Sequence, residues 1–247
     1  MIKIIKLLIN KISRLIYLLI PDEFKQNIKS ELESKIEEHL AEQTFNFFKD
    51  DFKKALVFYN KEKKHNKINF KWKIREYAIK TSLRNDLNKE YYYLEFGVFE
   101  GHSANYFSKF VKKLYAFDSF EGIEEDWAGT MAGLGGMNRN KKIPKLDSNV
   151  EEIVGWVEDT LDDFLKKHNP KINFVHMDMD TYTPTKFTLE KIKPYLVKDA
   201  VILFDEFFNY IGWENGEYKA LNEVYKKDEF KYKAFSLKRG QCAIQIK

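Results

Sequence analysis

The sequence predicts an α/β chain built on a doubly wound, mostly parallel sheet of seven strands, and three observations predict it. From residue 91 onward, short apolar runs alternate with stretches of helical periodicity. Helices of about ten residues between such runs are long enough to serve as crossovers between parallel strands. The last two runs are joined only by "SLKRGQ", which suits a C-terminal hairpin. The expected architecture is therefore Rossmann-like, preceded by a helical N-terminal extension. At 247 residues the chain is ample for one such domain and short for two.

The elements follow in order. In "MIKIIKLLINKISRLIYLLI", residues 1–20, Lys3, Lys6, Asn10, Lys11, Ser13 and Arg14 recur at helical spacing opposite a face of Ile and Leu. Charges interrupt the run too often for a spanning helix, and no small-residue cleavage site follows it. Two readings stay open: an interfacial helix on an anionic membrane, or a helix docked on a protein partner. Pro21 ends it. Residues 22 to about 59 read as helical, with Phe45, Phe47 and Phe48 as an apolar stripe. "KEKKHNK", 61–67, reads as a solvated loop, and 70–86 as another helix, so residues 21–88 form the extension. In the α/β domain, 89–247, strands are expected at 91–96, 113–117, 152–157, 172–177, 200–204, 230–236 and 241–246. Helices are expected at 102–112, 160–168, 184–195 and 216–227.

Composition narrows the function. With 44% hydrophobic and 16% aromatic residues the chain can bury a substantial core. A net charge of +4 on a Lys- and Glu-rich background gives no nucleic-acid footprint. The lone Cys242 rules out an intramolecular disulfide framework and a Cys-based zinc cluster, and a reducing, cytoplasmic setting fits best. If residues 1–20 bind lipid, that setting is the inner face of the membrane. A homo-oligomer is expected.

Ligands of such sheets bind beyond the carboxyl ends of the strands, so chemistry is read there. The first strand runs through Glu95 into "GVFEGHS". A dinucleotide turn wants G-x-G-x-x-G, but here Phe99 stands where the middle glycine would be, which disfavours pyrophosphate. No Gly-Lys-Ser/Thr follows, which excludes a P-loop. S-adenosylmethionine has no phosphate and fits better. Glu95 could lie near its cationic part, and the amides near Gly101 to Ser103 suit its carboxylate. Asp118 ends the second strand, 23 residues after Glu95, where an acid can receive the ribose hydroxyls.

Further acids follow the later strands. Asp178 and Asp180 come after "FVHM", and Asp205 and Glu206 after "AVILF". Four carboxylates at two strand ends repel one another unless something positive lies between them. Hard oxygen ligands select a hard cation such as Mg²⁺, which can hold a substrate hydroxyl and lower its pKa. The plainer reading is that such acids cap the following helices, and it weighs most for Asp180, one step along.

Five motifs in order, "YLEFGVFEGHS", "YAFDSFEG", "GWVEDTL", "HMDMDTYTPT" and "LFDEFFNYIGWENGEYKAL", resemble the macrocin O-methyltransferase family over about residues 70–247. The resemblance implies a class I S-adenosylmethionine-dependent enzyme that methylates a sugar hydroxyl with Mg²⁺, the acceptor being a small molecule or a glycan. It assigns Glu95, Gly97, Gly101 and Ser103, with Phe99 among them, to the cofactor loop. Asp118 and Ser119 match its ribose-binding strand end, and Glu158, Asp159 and Thr160 its adenine segment. Asp178 matches a metal ligand and candidate base. Asp205 and Glu206 stand where the family commonly has two aspartates that bind the metal.

Residues between Gly122 and Asn149 are glycine-rich and aperiodic, which reads as a lid over the donor. His102 and His176 lack partners at ligand spacing; His176 reads first as a packed histidine and second as an aid to the acceptor. Two other functions compete: a nucleotide-sugar or NAD-linked oxidoreductase, weakened by Phe99, and a non-catalytic membrane-associated scaffold, weakened by the surviving acids.

Overall fold

The computed structural model describes residues 21–58, 70–127, 130, 133–237 and 240–247. The expectations for residues 1–20 and 61–67 lie outside them. The chain divides into two compact units, 1–43 and 44–247. The described part of the first is helical: α1, Asp22–Phe47, begins there directly after Pro21. Asp22 and Glu23 in its first turn complement the helix dipole, and Lys25–Asp22 and Lys35–Glu31 pair along its surface at 3.0 Å each. Among the described residues no helix is long and apolar enough to cross a membrane.

The second unit is a mixed sheet of eight strands in the order β1-β7-β8-β6-β5-β2-β3-β4. These are β1 (Leu56–Phe58), β2 (Tyr92–Phe96), β3 (Leu114–Asp118), β4 (Val150–Val154), β5 (Ile172–Met177), β6 (Leu196–Phe204), β7 (Phe230–Ser236) and β8 (Gln241–Ile246). Strands β2 to β6 pair in parallel, and β8 runs antiparallel to both β6 and β7. The seven expected strands and the terminal hairpin are present. The eighth strand was expected as helix, because a three-residue run is too short to show a period of two. It pairs in parallel with β7, Leu56 opposite Ala234, and covers what would otherwise be a bare edge.

Helices α2 (Lys49–Phe52), α3 (Phe70–Leu83), α4 (His102–Phe107), α5 (Val157–His168), α6 (Tyr182–Ile192) and α7 (Glu217–Val224) complete the unit. The α3 helix packs on β6, β7 and β8. The strand expected at 152–157 ends at Val154 because Gly155, at φ +139°, turns the chain into α5. Alternate strand residues feed two cores: Leu94, Phe96 and Phe117 join one, Tyr93, Ala116 and Phe174 the other. Both faces being covered, the parallel strands read as near-continuous apolar runs.

This topology sets the parallel strand ends side by side. One backbone bond beyond each strand fixes the turn that follows it: Gly97 N–H to Phe117 O at 2.9 Å, Asp178 N–H to Phe96 O at 2.9 Å, and Asp205 N–H to Met177 O at 3.0 Å.

Candidate active site

The turn after β2 is shaped by a close approach. Gly97 has φ +86°, and a Cβ there would stand 1.8 Å from the carbonyl oxygen of Asp178. Only glycine lets the β2 turn and the β5 end meet so closely. Gly101, at φ +75°, caps α4 against Leu146 and Pro144. Phe99 holds a positive φ of 46°, uncommon for a bulky residue, and is 39% exposed. Asp118 Oδ2 accepts the N–H groups of Val98 and Phe99 at 2.7 and 2.8 Å, and its Oδ1 accepts that of Phe120 at 2.7 Å. Two charge-assisted bonds therefore staple the turn to β3, and the third shapes the chain that follows Asp118.

Above these strand ends lies a cavity of about 470 Å³, a size suited to a small-molecule ligand. Gly97, Phe99, Asp118, Ser119 and Glu158 of the expected cofactor residues line it, together with Asp178 and Glu206 of the expected acids. Glu95, Gly101, Ser103, Asp159, Thr160 and Asp205 do not. Glu95 is fully buried and bonds His176 Nδ1 at 2.8 Å through Oε1, while Thr160 donates its hydroxyl to Trp156 O at 2.9 Å.

The segment read as a lid borders the cavity through Ile123, Glu124, Glu125, Trp127 and Met137. It is folded on itself, Gly135 donating to Ile123 O at 2.8 Å and Ile123 to Gly136 O at 2.9 Å. At its far end Asn105 of α4 holds Lys145 O and the Asp147 N–H, at 2.9 and 2.8 Å.

The acids after β5 and β6 separate into two groups that share Asp178. Asp178, Asp180 and Glu206 offer oxygens within 4.8 Å of one another, and all three line the cavity. Asp205, only 2% exposed, turns away from it: its Oδ1 accepts Arg75 Nη2 at 2.7 Å and also bonds Gln241 Nε2, with His176 Nε2 at 3.4 Å. Arg75 also reaches Asp178 Oδ2 at 3.4 Å, its guanidinium 5.1 Å from the centre of the Trp72 ring.

Asp180 corrects the sequence reading. It was expected to face the other way from Asp178, but residues i and i+2 of an extended chain point to one side, and its carboxylate joins the same cluster. Its φ of +64° places it in the turn that leads into α6. Arg75 was missed as well, since a basic residue on an expected outer helix gives no signal that it will be buried among acids.

Burial, then Asp205 and Asp178, pushes the Glu206 carboxyl well above its ordinary pKa. Burial, then Asp178 and Asp205, does the same to Glu217, whose Oε2 accepts the Glu206 N–H at 3.1 Å. Burial draws His176 toward neutrality, but bonds to Asp205 and then Glu95 outweigh it and raise its pKa. Glu206 Oε2 and Glu217 Oε1 are buried without a hydrogen-bond partner. An all-oxygen trio with an orphaned oxygen fits a hard divalent cation.

Residues 94–207 match the family model described as a methyltransferase domain. This chain carries a methyltransferase domain. The matched stretch runs from β2 to just past Glu206, so it spans the Gly97, Asp118, Asp178 and Glu206 strand ends. Two structures of CalS11 share the fold: the calicheamicin methyltransferase (TM-score 0.59) and an apo form described as TDP-rhamnose 3'-O-methyltransferase (TM-score 0.52). Each is 21% identical over 72% of this chain and 80% of its own. The O-methyltransferase NovP is similar at TM-score 0.52 and 19% identity, with the same coverage of each chain. A comparison with curated protein sequences gave no match.

Proposed function

We propose that this methyltransferase moves a methyl group from S-adenosylmethionine to a sugar hydroxyl with the help of a divalent cation, as the macrocin O-methyltransferase resemblance implies. One observation carries the reading: a single cavity joins Gly97, Asp118 and Glu158 on its donor side to Asp178, Asp180 and Glu206 on the other. The donor supplies an activated methyl on sulfur. Gly97 and the stapled turn set its depth, and Asp118 Oδ1 retains one acceptor site for a ribose hydroxyl. The acceptor oxygen attacks the methyl carbon in line as the carbon–sulfur bond breaks, and Asp178 takes the hydroxyl proton.

A cation held by Asp178, Asp180 and Glu206 would lower the pKa of the acceptor hydroxyl. The family resemblance assigns Asp205 to the cation too; its Oδ1 is engaged by Arg75. The sugar acceptor is supported by the resemblance and by the neighbouring fold of a TDP-rhamnose 3'-O-methyltransferase. EDTA is expected to abolish methyl transfer and Mg²⁺ to restore it, while calorimetry shows S-adenosylhomocysteine binding nearly unchanged. Activity that persists in EDTA removes the cation from the proposal.

A further inference from the structure

We infer that Arg75 sets how tightly the divalent cation is held: its guanidinium is a resident positive charge in the acid cluster, and it keeps cation binding weak. This rests on the cation reading above and adds to it a residue of the N-terminal extension. Arg75 lies on α3, upstream of residues 94–207 that match the methyltransferase family.

The helix delivers the charge to the strand ends. Arg75 is 3% exposed, and its Nη2 lies 2.7 Å from Asp205 Oδ1 and 3.4 Å from Asp178 Oδ2. One nitrogen therefore bridges the acids that follow β6 and β5. The Trp72 ring, three residues back on the same helix, has its centre 5.1 Å from the guanidinium carbon. A planar guanidinium is favoured over an indole face, and it stays charged at any working pH. Asp205, buried beside it, is the close partner that a buried cation needs.

Asp178 belongs to two groups at once. It pairs with Arg75, and with Asp180 and Glu206 it offers oxygens within 4.8 Å of one another. A divalent ion on those oxygens has the guanidinium as a near neighbour, and part-buried charges are screened far less than exposed ones. Affinity at oxygen-ligand sites follows the charge of the ligand set. Arg75 offsets part of that charge, whatever other groups surround the acids, so its removal favours the ion. Substitution separates its charge from its hydrogen bonds. Glutamine keeps a donor nitrogen and loses the field, whereas lysine keeps the charge and loses the fork.

The test titrates the full-length protein, saturated with S-adenosylhomocysteine, with Mn²⁺, and electron paramagnetic resonance counts the free ion. Wild type is expected to bind with a Kd above about 10 µM. Arg75→Gln should tighten binding about tenfold or more, and Arg75→Lys should stay within about threefold of wild type. S-adenosylhomocysteine affinity, read by calorimetry, should hold in both variants. If Arg75→Gln does not fold, Arg75→Gln with Asp205→Asn removes the buried pair together. That double variant should bind Mn²⁺ about tenfold more tightly than Asp205→Asn alone, because both lack Asp205 and differ only in the charge. A wild-type Kd below about 10 µM overturns the inference before any variant is made. Unchanged or weaker binding on loss of the Arg75 charge overturns it, and so does equal tightening in Arg75→Lys. Wild type and variants that all ignore Mn²⁺ remove the cation reading itself.

Discussion

On the β3 side of the cavity one acid is held by backbone N–H groups, and on the β5–β6 side several carboxyls crowd together. Asp118 receives three backbone N–H groups, two of them from the β2 turn that it holds in place. Across the cavity, half-buried Glu206 and buried Glu217 are raised in pKa and each left with a buried, unpartnered oxygen. The first region is a frame, its shape set by the chain alone. The second gathers carboxyls close enough to raise the pKa of Glu206 and Glu217. A methyl-transfer site needs both: a rigid seat for the donor, and a field that draws a cation and a proton to the acceptor oxygen.

The frame breaks most severely at Gly97. Its Cβ would overlap the Asp178 carbonyl, a backbone atom that cannot turn aside, in a backbone conformation that already strains an L side chain. Gly97→Ala is expected to cost about 3–5 kcal/mol of stability, read by denaturant unfolding, from overpacking added to left-handed strain. A loss below about 1 kcal/mol would mean that the two strand ends are not locked together.

The charged side breaks next, in turnover rather than stability. Asp178→Asn keeps the shape and removes a negative charge and a proton acceptor, so kcat should fall about 100-fold or more. Because Asp180 shares the cluster, Asp180→Asn should fall on the same scale, with S-adenosylhomocysteine affinity held in both variants. Full activity in Asp180→Asn would restore the picture of an aspartate that faces away.

These two regions were unequally legible in the sequence. The parallel sheet, the hairpin and the glycine turn were readable, because strand–helix alternation and the G-x-x-x-G spacing are local signals. Gly97 and Asp118 could be placed at adjacent strand ends from topology alone. The acid cluster was readable in content but not in arrangement. Asp205 and Glu206 are neighbours in sequence, yet one turns to Arg75 in the interior and the other lines the cavity. That division depends on a helix more than a hundred residues upstream, and no local pattern carries it. The edge strand Leu56–Phe58 was lost for the same reason: only its pairing with β7 makes it a strand.

Asp118 sharpens the comparison at a smaller scale. If it serves both the turn and the donor, Asp118→Ala should weaken S-adenosylhomocysteine binding by about 1.5–3 kcal/mol through lost charge-assisted hydrogen bonds. Asp118→Asn retains one acceptor oxygen and should recover part of that loss. Calorimetry on both variants, with circular dichroism to confirm folding, separates the roles. Unchanged affinity in a folded Asp118→Ala protein would confine the residue to the frame.

The smallest expected effect lies where the two regions are tied together. Glu125, from the segment over the cavity, accepts the Thr183 N–H and the Thr183 hydroxyl, each at 2.8 Å. Thr183 sits in the first turn of α6, directly after the Asp178–Asp180 turn, so this carboxylate caps that helix from a distant part of the chain. An anion there also complements the helix dipole. The tie is partly exposed and spans two surface segments, so its removal should cost only about 0.5–1 kcal/mol of stability. Its larger consequence should be kinetic. With one anchor gone and the Asn105 anchor intact, the segment should open from the α6 side, and donor exchange should quicken a few-fold with kcat little changed. Stopped-flow fluorescence of Trp127 and Trp156, both lining the cavity, can follow S-adenosylhomocysteine release from wild type and Glu125→Ala. Identical release rates would show that the contact caps the helix without holding the cavity closed.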